Sequence, residues 1–285
     1  MKNNKNNKNV LNQFLEKVKS NKKYKTISED IVLEEIKKYL KRNTNLKLEQ
    51  QINKKSISEI RKQLHLLYSS FQTKKKKKIK DYFNQLKQSK SKKELIEITN
   101  KLLSTTLSTK ERLECYNQIY KQIFKITNKP KTIIDLGAGF NIFSFPYMGL
   151  NKLTYYSYDI NKEDIKLINQ YIDIIKPRGL SGKAEILNIK DIKQLQKLPK
   201  SDIIFLFKVI DIIDKKDHKP SEQLITYLFK QKKAKNIVIS FATRTITRRK
   251  MNFPIRKWFE LMLKRNNLKF KTIKTSNEIF YITYR

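Results

Sequence analysis

Cysteine occurs once in these 285 residues, at Cys115, which excludes an internal disulfide and any cysteine-rich metal centre. Histidine occurs twice, at His65 and His218, too few to assemble a histidine-based zinc site or hydrolytic triad readily, and no metal is expected. Acidic residues are scarce: 26 Asp and Glu face 64 Lys and Arg, a net charge of +38. Self-repulsion of that size opposes compaction, so a polyanionic partner explains it better than folding does, although an AT-rich coding sequence would also raise lysine. No apolar run approaches the roughly 20 residues that cross a bilayer. The opening KNNKNNKN lacks the apolar core of a signal peptide. A cytoplasmic monomer without membrane contact is the expectation.

Residues 1–8 read as disordered. Beyond them, as far as Thr127, the apolar spacing is helical. Ser28 precedes a stripe of Ile31, Val32, Leu33, Ile36, Tyr39 and Leu40 as an N-cap. Helices are also expected over Ser58–Phe71, after the Lys74–Lys78 run, and after Ser91. Another spans STKERLECYNQIYKQIF from Ser108, whose first four residues match a capping box. The lysine run reads as a solvated helix end or as a phosphate contact. His65 falls in the apolar stripe of its helix, a structural position.

From Lys131 the period changes. Apolar runs at 131–136, 153–158, 183–187, 202–207 and 236–241 alternate with helical stretches, the signature of a parallel sheet, and 269–275 with 278–284 reads as an antiparallel edge hairpin. The fold class is therefore α/β, Rossmann-like, preceded by an all-helical region. The division is drawn as a basic helical domain at 1–105 and an α/β domain at 106–285.

Glycine is rare too, with five in the chain, and two of them fall in KTIIDLGAGFN at 131–141. This segment reads as a buried strand breaking into a turn where Gly137 and Gly139 admit positive φ and the approach of a ligand to bare backbone. Asp135 lies at the strand end, and Asp159 at the tip of the second strand is placed to accept hydrogen bonds from a ribose diol or, alternatively, to cap the following helix. A dinucleotide site would want a third glycine, where Asn141, Ile142 and Phe143 stand. S-adenosylmethionine, with a ribose and an amino acid but no phosphate, suits the pattern better; an ordinary turn of an unrelated Rossmann-like protein is the alternative.

Several segments together resemble one family, the aminoglycoside-resistance methyltransferases that modify a guanine N7 in the decoding region of 16S ribosomal RNA. These are DLGAGFNIFSFPYM in the turn, STKERL at 108–113, FLFK at 205–208, SFATRTITRRKM followed by WFE at 258–260, and the closing SNEIFYI. KYKTISED and RKQLHLLYSSF extend the likeness into the N-terminal region, so it covers about residues 20–285. Departures include Thr106, Ile142, Tyr147, Ala242, missing glycines around Thr247 and Arg249, and Ile255, and the cofactor half of the pattern is better kept than the half that would face the target base. The resemblance implies an S-adenosyl-L-methionine-dependent sheet, a substrate in the assembled small ribosomal subunit, and an rRNA-binding role for the helical domain. Alternatives are another RNA base or a tRNA as substrate, or a ribosome-assembly factor that keeps the fold without turnover.

Residue roles follow. Gly137, Gly139, Asp135 and Asp159 belong to the cofactor site, with Asn188 at the adenine edge. Arg112 matches a carboxylate by its guanidinium fork, and its place in the resembling motif implies the cofactor carboxylate; alone it would read as a surface residue. Lys208, ending an apolar strand, would contact the cofactor carboxylate, a phosphate or a base carbonyl, or else snorkel to solvent. Arg244, Arg248, Arg249 and Lys250 form the densest arginine-rich cluster and read as RNA contacts, with Met251 at the base pocket by resemblance. Trp258 reads as a core anchor in preference to a stacking platform. Guanine N7 carries a free lone pair, so no general base is needed, and Lys208 is the positioning candidate.

Overall fold

The computed structural model describes residues 2–43, 52–67, 78–214, 217–245, 249, 251 and 254–285. Two compact units result, one of Met1–Gln72 with Ile160–Glu163, the other of Thr73–Asp159 with Asp164–Arg285.

The first unit packs α1 (Lys2–Lys19), α2 (Glu29–Arg42) and α3 (Lys54–Leu67) around Phe14, Val18, Ile27, Val32, Ile36, Ile60 and Leu64. Heptad-like spacing on each helix puts these residues on one face, and their burial drives the packing. Arg61 closes the end of α1 by donating to the carbonyls of Lys17 (2.7 Å) and Val18 (3.1 Å), groups a helix C-terminus leaves unsatisfied. The segment Ile160–Glu163 is stitched on through Ser28 N to Ile160 O (2.9 Å) and Lys162 N to Thr26 O (3.0 Å). Residues 2–8, expected to be disordered, continue α1 as helix. Once Phe14 and Val18 anchor a helix, elongation adds a hydrogen bond per residue without a new nucleus. His65 is exposed and outside the buried stripe, which Ile60 and Leu64 occupy.

In the second unit α4 (Ile79–Gln88), α5 (Lys92–Leu103), α6 (Leu107–Lys110) and α7 (Tyr116–Thr127) lead into β1 (Thr132–Leu136). Then come β2 (Leu153–Asp159), α8 (Lys162–Ile175), β3 (Leu180–Ile186), α9 (Ile192–Gln196), β4 (Ser201–Phe207), α10 (Ile210–Ile213) and α11 (Lys219–Lys230). The unit closes with β5 (Ala234–Ala242), α12 (Lys257–Arg265), β6 (Lys269–Lys274) and β7 (Glu278–Tyr284). The seven strands lie in the order β3-β2-β1-β4-β5-β7-β6, with β7 antiparallel to both neighbours and the other pairs parallel. Successive residues of a strand supply opposite faces: Ile133, Phe205 and Val238 meet the layer of α4, α5, α7 and α8, while Ile134, Leu206 and Ile239 meet α10, α11 and α12.

α4 and α5, placed with the helical domain when the chain is divided at 105/106, group with the sheet in the second unit. The apolar stripes of α4 and α5 explain this, since Phe83 packs edge-on against Phe143 (6.0 Å between centroids) and Leu102 is fully buried in the same core. The long helix expected from Ser108 is two pieces, α6 and α7, broken over Glu111–Cys115. The expected Ser108 capping box does not form; Thr106 holds the N-cap position, without a side-chain cap bond. Phe14→Ala should lower the stability of the first unit by about 3–5 kcal/mol, the usual cost of emptying a buried phenyl site. Hydrogen exchange against urea would show the loss in α1–α3; an equal loss in β1–β5 would contradict two separate cores.

Candidate active site at the carboxyl edge of the sheet

Strand order reverses direction between β1 and β4, and in open α/β sheets the crevice beyond the carboxyl ends at such a point takes ligands. The turn after β1 lies there. Gly137 has φ +71°, and a Cβ on it would stand 2.4 Å from Val209 Cγ2, so both conformation and space demand glycine. Gly139 has φ +48° with nothing within 4 Å of the position a Cβ would take: its side is open. Its N–H donates to Asp159 Oδ2 at 2.8 Å, tying the turn to the tip of β2.

Asp135 lies in β1, two residues before Gly137. It is 1% exposed and accepts from Tyr155 Oη (2.6 Å) and Asn141 Nδ2 (3.0 Å). Burial raises its pKa to about 6 against those two hydrogen bonds. Through these bonds it ties the end of β1 to β2 and to the segment after the turn. Asn188, past β3, accepts from Lys190 N on its side-chain oxygen (3.1 Å) and donates its own N–H to Gln194 Oε1 (2.9 Å), so it shapes its loop.

A largely buried ionic cluster joins three distant segments. Arg112 clasps Glu278 with two parallel bonds, Nε to Oε2 and Nη2 to Oε1, each 2.8 Å. Both side chains are almost fully buried, at 4% and 1% exposure. Lys208 Nζ lies 2.6 Å from Glu111 Oε2 and 3.6 Å from Glu278 Oε2. Ser240 Oγ donates to Glu278 and also accepts from the Lys208 N–H at 3.0 Å. Lys208 adopts φ +57°, an uncommon conformation for a side-chain-bearing residue, fixed by its N–H bond to Ser240 O (3.1 Å). Burial pushes the Glu278 carboxyl up, but Arg112 and Lys208 outweigh it and hold the group below its ordinary range. Arg112 is thus buried and paired, and Lys208 is an ion-paired residue at the ligand edge rather than one snorkelling to solvent.

Sequence reasoning missed Glu278, Glu111 and Ser240. The available signal was a carboxylate opening the apolar strand EIFYITY, a residue type that is buried only when paired. Of the residues read as RNA contacts, Arg248 and Lys250 lie outside the described residues. Arg244 is half-buried and donates to Ser276 O at 3.3 Å, while Arg249 is exposed and its carbonyl accepts from Thr245 N at 2.9 Å. Met251 donates its N–H to Thr243 O (2.9 Å), and Arg256 Nη2 reaches its sulfur at 3.7 Å. This brings the segment after β5 back to that strand's end. Trp258 is half-buried against Phe241 and Phe259, as expected for an anchor, with one face covered by His218. No group of His, Cys, Asp and Glu among the described residues could hold a metal ion.

A sequence profile of the ribosomal RNA methyltransferase (FmrO) family matches residues 49–282. The chain is 29% identical over 198 residues to a 16S rRNA (guanine(1405)-N(7))-methyltransferase of Proteus mirabilis, an alignment covering 66% of each. It therefore spans just under two thirds of that relative's length. Among solved structures, the 16S rRNA methyltransferase RmtF in complex with S-adenosyl-L-homocysteine superposes with TM-score 0.74 at 20% identity, over 96% of this chain and 98% of that one. The 16S rRNA methylase RmtB gives 0.72 at 19%, over 96% and 98%. At these identities the superpositions establish the fold.

Two outcomes test the site's electrostatics. Glu278→Gln strips the cluster of a buried carboxylate and should cost about 3–5 kcal/mol in urea unfolding. Pairing Arg112→Met with Glu278→Leu should restore most of that, because neither charge is then left alone; no restoration would contradict a buried ion pair. Asp135 has the opposite pH sense. Its folded pKa is above the ordinary 3.8, so its contribution to stability is whole below that value and is lost as pH rises through about 6. Asp135→Asn should therefore gain on the parent between pH 4 and 7, and a flat difference across that range would count against the raised pKa.

Proposed function

The chain belongs to the ribosomal RNA methyltransferase (FmrO) family, and on that footing we propose that it transfers a methyl group from S-adenosyl-L-methionine to N7 of a guanine in 16S ribosomal RNA of the small subunit. The observation that carries this reading is the meeting, at one sheet edge, of an open glycine turn, an acidic strand tip and two ion-paired cations. The residues fit the cofactor. Gly139 leaves bare backbone where a Cβ would otherwise stand. Asp159, already oriented by the Gly139 N–H, accepts hydrogen bonds from ribose hydroxyls. Arg112 and Lys208 supply positive charge for an amino-acid carboxylate, and their carboxylate partners keep both cations in place without the ligand.

S-adenosyl-L-methionine supplies an electrophilic methyl on a sulfonium. The protein's work is then alignment. N7 of guanine presents its lone pair without prior proton removal, and fixing it in line with the methyl accounts for about 7–11 kcal/mol of barrier lowering. In paired RNA that atom faces a deep, narrow groove closed to side chains, so the nucleotide must be turned out of the helix at a cost of a few kcal/mol. Arg244 and Arg249, on the segment that follows β5, would offset that cost through phosphates, and Met251 would line the base pocket. The basic first unit, with exposed Lys17 of α1 and Lys54, Lys55 and Lys62 of α3, is the rRNA-docking part.

Incubation of small subunits with labelled S-adenosyl-L-methionine should place label on 16S rRNA at a guanine, located by nuclease digestion; label on tRNA or on another base would overturn the substrate assignment. Asp159→Ala should weaken cofactor binding at least tenfold by calorimetry, the scale of a lost charge-assisted bond. Asp159→Asn should keep part of the affinity by still accepting from Gly139. Equal affinity in all three proteins would remove Asp159 from the site.

A further inference from the structure

A stacked pair of rings lies at the same edge of the sheet. His218 stands in the link between β4 and β5, at the start of α11, and Trp258 opens α12 after β5, so both lie at carboxyl ends of the sheet. Their rings are stacked face to face, 3.5 Å between centroids and 4° between planes. The indole is backed edge-on by Phe241 at 6.0 Å and Phe259 at 5.5 Å, which fix it from beneath.

The imidazole is fixed as well. His218 Nδ1 lies 3.2 Å from Asp214 Oδ2. That carboxylate, whose side chain is 3% exposed, is itself held by Ser221 N (3.1 Å) and Ser221 Oγ (2.6 Å). Yet the His218 side chain is 51% exposed. The inner imidazole face covers the indole, the carboxylate below orients the ring, and the outer end of the stack is open to solvent. Lys219 follows His218 and Lys257 precedes Trp258, both exposed, giving positive charge beside the ring.

We propose that His218, backed by Trp258, is a stacking platform for an unpaired nucleobase of the RNA substrate. A nucleobase would continue the stack on the outer imidazole face, and the flanking lysines would meet its phosphates. Every base has a π-face, so such a platform holds single-stranded RNA without reading its sequence. This rests on the RNA-substrate reading above.

The chain has two histidines, so the ring protons of His218 are assigned by elimination in one-dimensional NMR with His218→Leu as control. A short purine oligoribonucleotide and an abasic oligomer of equal length and charge serve as probes, with binding followed independently by anisotropy. The base-bearing oligomer should shift the His218 protons upfield, and the abasic one should bind without that shift. His218→Leu, which still covers the indole, should bind the base-bearing oligomer about tenfold more weakly, as expected for one lost stacking contact, and the abasic one unchanged. Binding by anisotropy with no base-dependent shift, or equal weakening for both oligomers, would overturn the platform while leaving the methyltransfer reading standing. Absence of any oligomer binding would also overturn it, and the labelled-subunit assay separately decides the substrate.

Discussion

Buried Arg112 and Glu278, with half-buried Lys208 and Glu111, form a cluster of two cations and two carboxylates on which the candidate site depends. Unpaired, a charge at this depth would cost several kcal/mol; paired and hydrogen-bonded, the four tie together the segment before α7, the end of β4 and the start of β7. The consequences are local and visible. The helix expected from Ser108 breaks where Glu111 and Arg112 turn towards their partners, and Lys208 takes a left-handed conformation that its strand would not otherwise adopt. The antiparallel β7 is part of the same device, because only its first residue, entering the sheet beside β5, places a carboxylate between the two cations.

The cluster also explains how a chain of such excess positive charge keeps cations ready at a ligand edge. A cation that must wait in the interior without a ligand needs a resident anion, and Glu278 is that anion for Arg112. The turn that Asp135 precedes is the neutral counterpart: two hydrogen-bond donors, Tyr155 and Asn141, hold a carboxyl whose pKa is raised, and the backbone stays open at Gly139. One side of the crevice is set by charge pairing, the other by backbone conformation.

Much of the sheet was legible beforehand. The central strands β1, β4 and β5 fall on apolar runs because both their faces are covered, the edge strands β3 and β6 are largely exposed and carry weaker runs, and the DLGAGFN turn was marked by the scarcity of glycine elsewhere. The division between units was less legible. Composition is basic and helical through residue 127, and nothing local distinguishes α4 and α5, which pack on the sheet, from α1–α3, which pack on one another. The partners in the cluster were illegible for a similar reason: Arg112 and Glu278 are 166 residues apart, and no periodicity reports a long-range ion pair. His65 was misplaced because helical spacing locates a stripe only to within its edge.

The most direct measurement of the central claim is a crystal structure of this protein with S-adenosyl-L-homocysteine bound. The account predicts its ribose hydroxyls on Asp159, its carboxylate within hydrogen-bond reach of Lys208 or the remaining Arg112 nitrogen, and the Arg112–Glu278 pair intact. A ligand seated away from the Gly139 turn, or one that binds with that pair broken and Arg112 facing solvent, would contradict it.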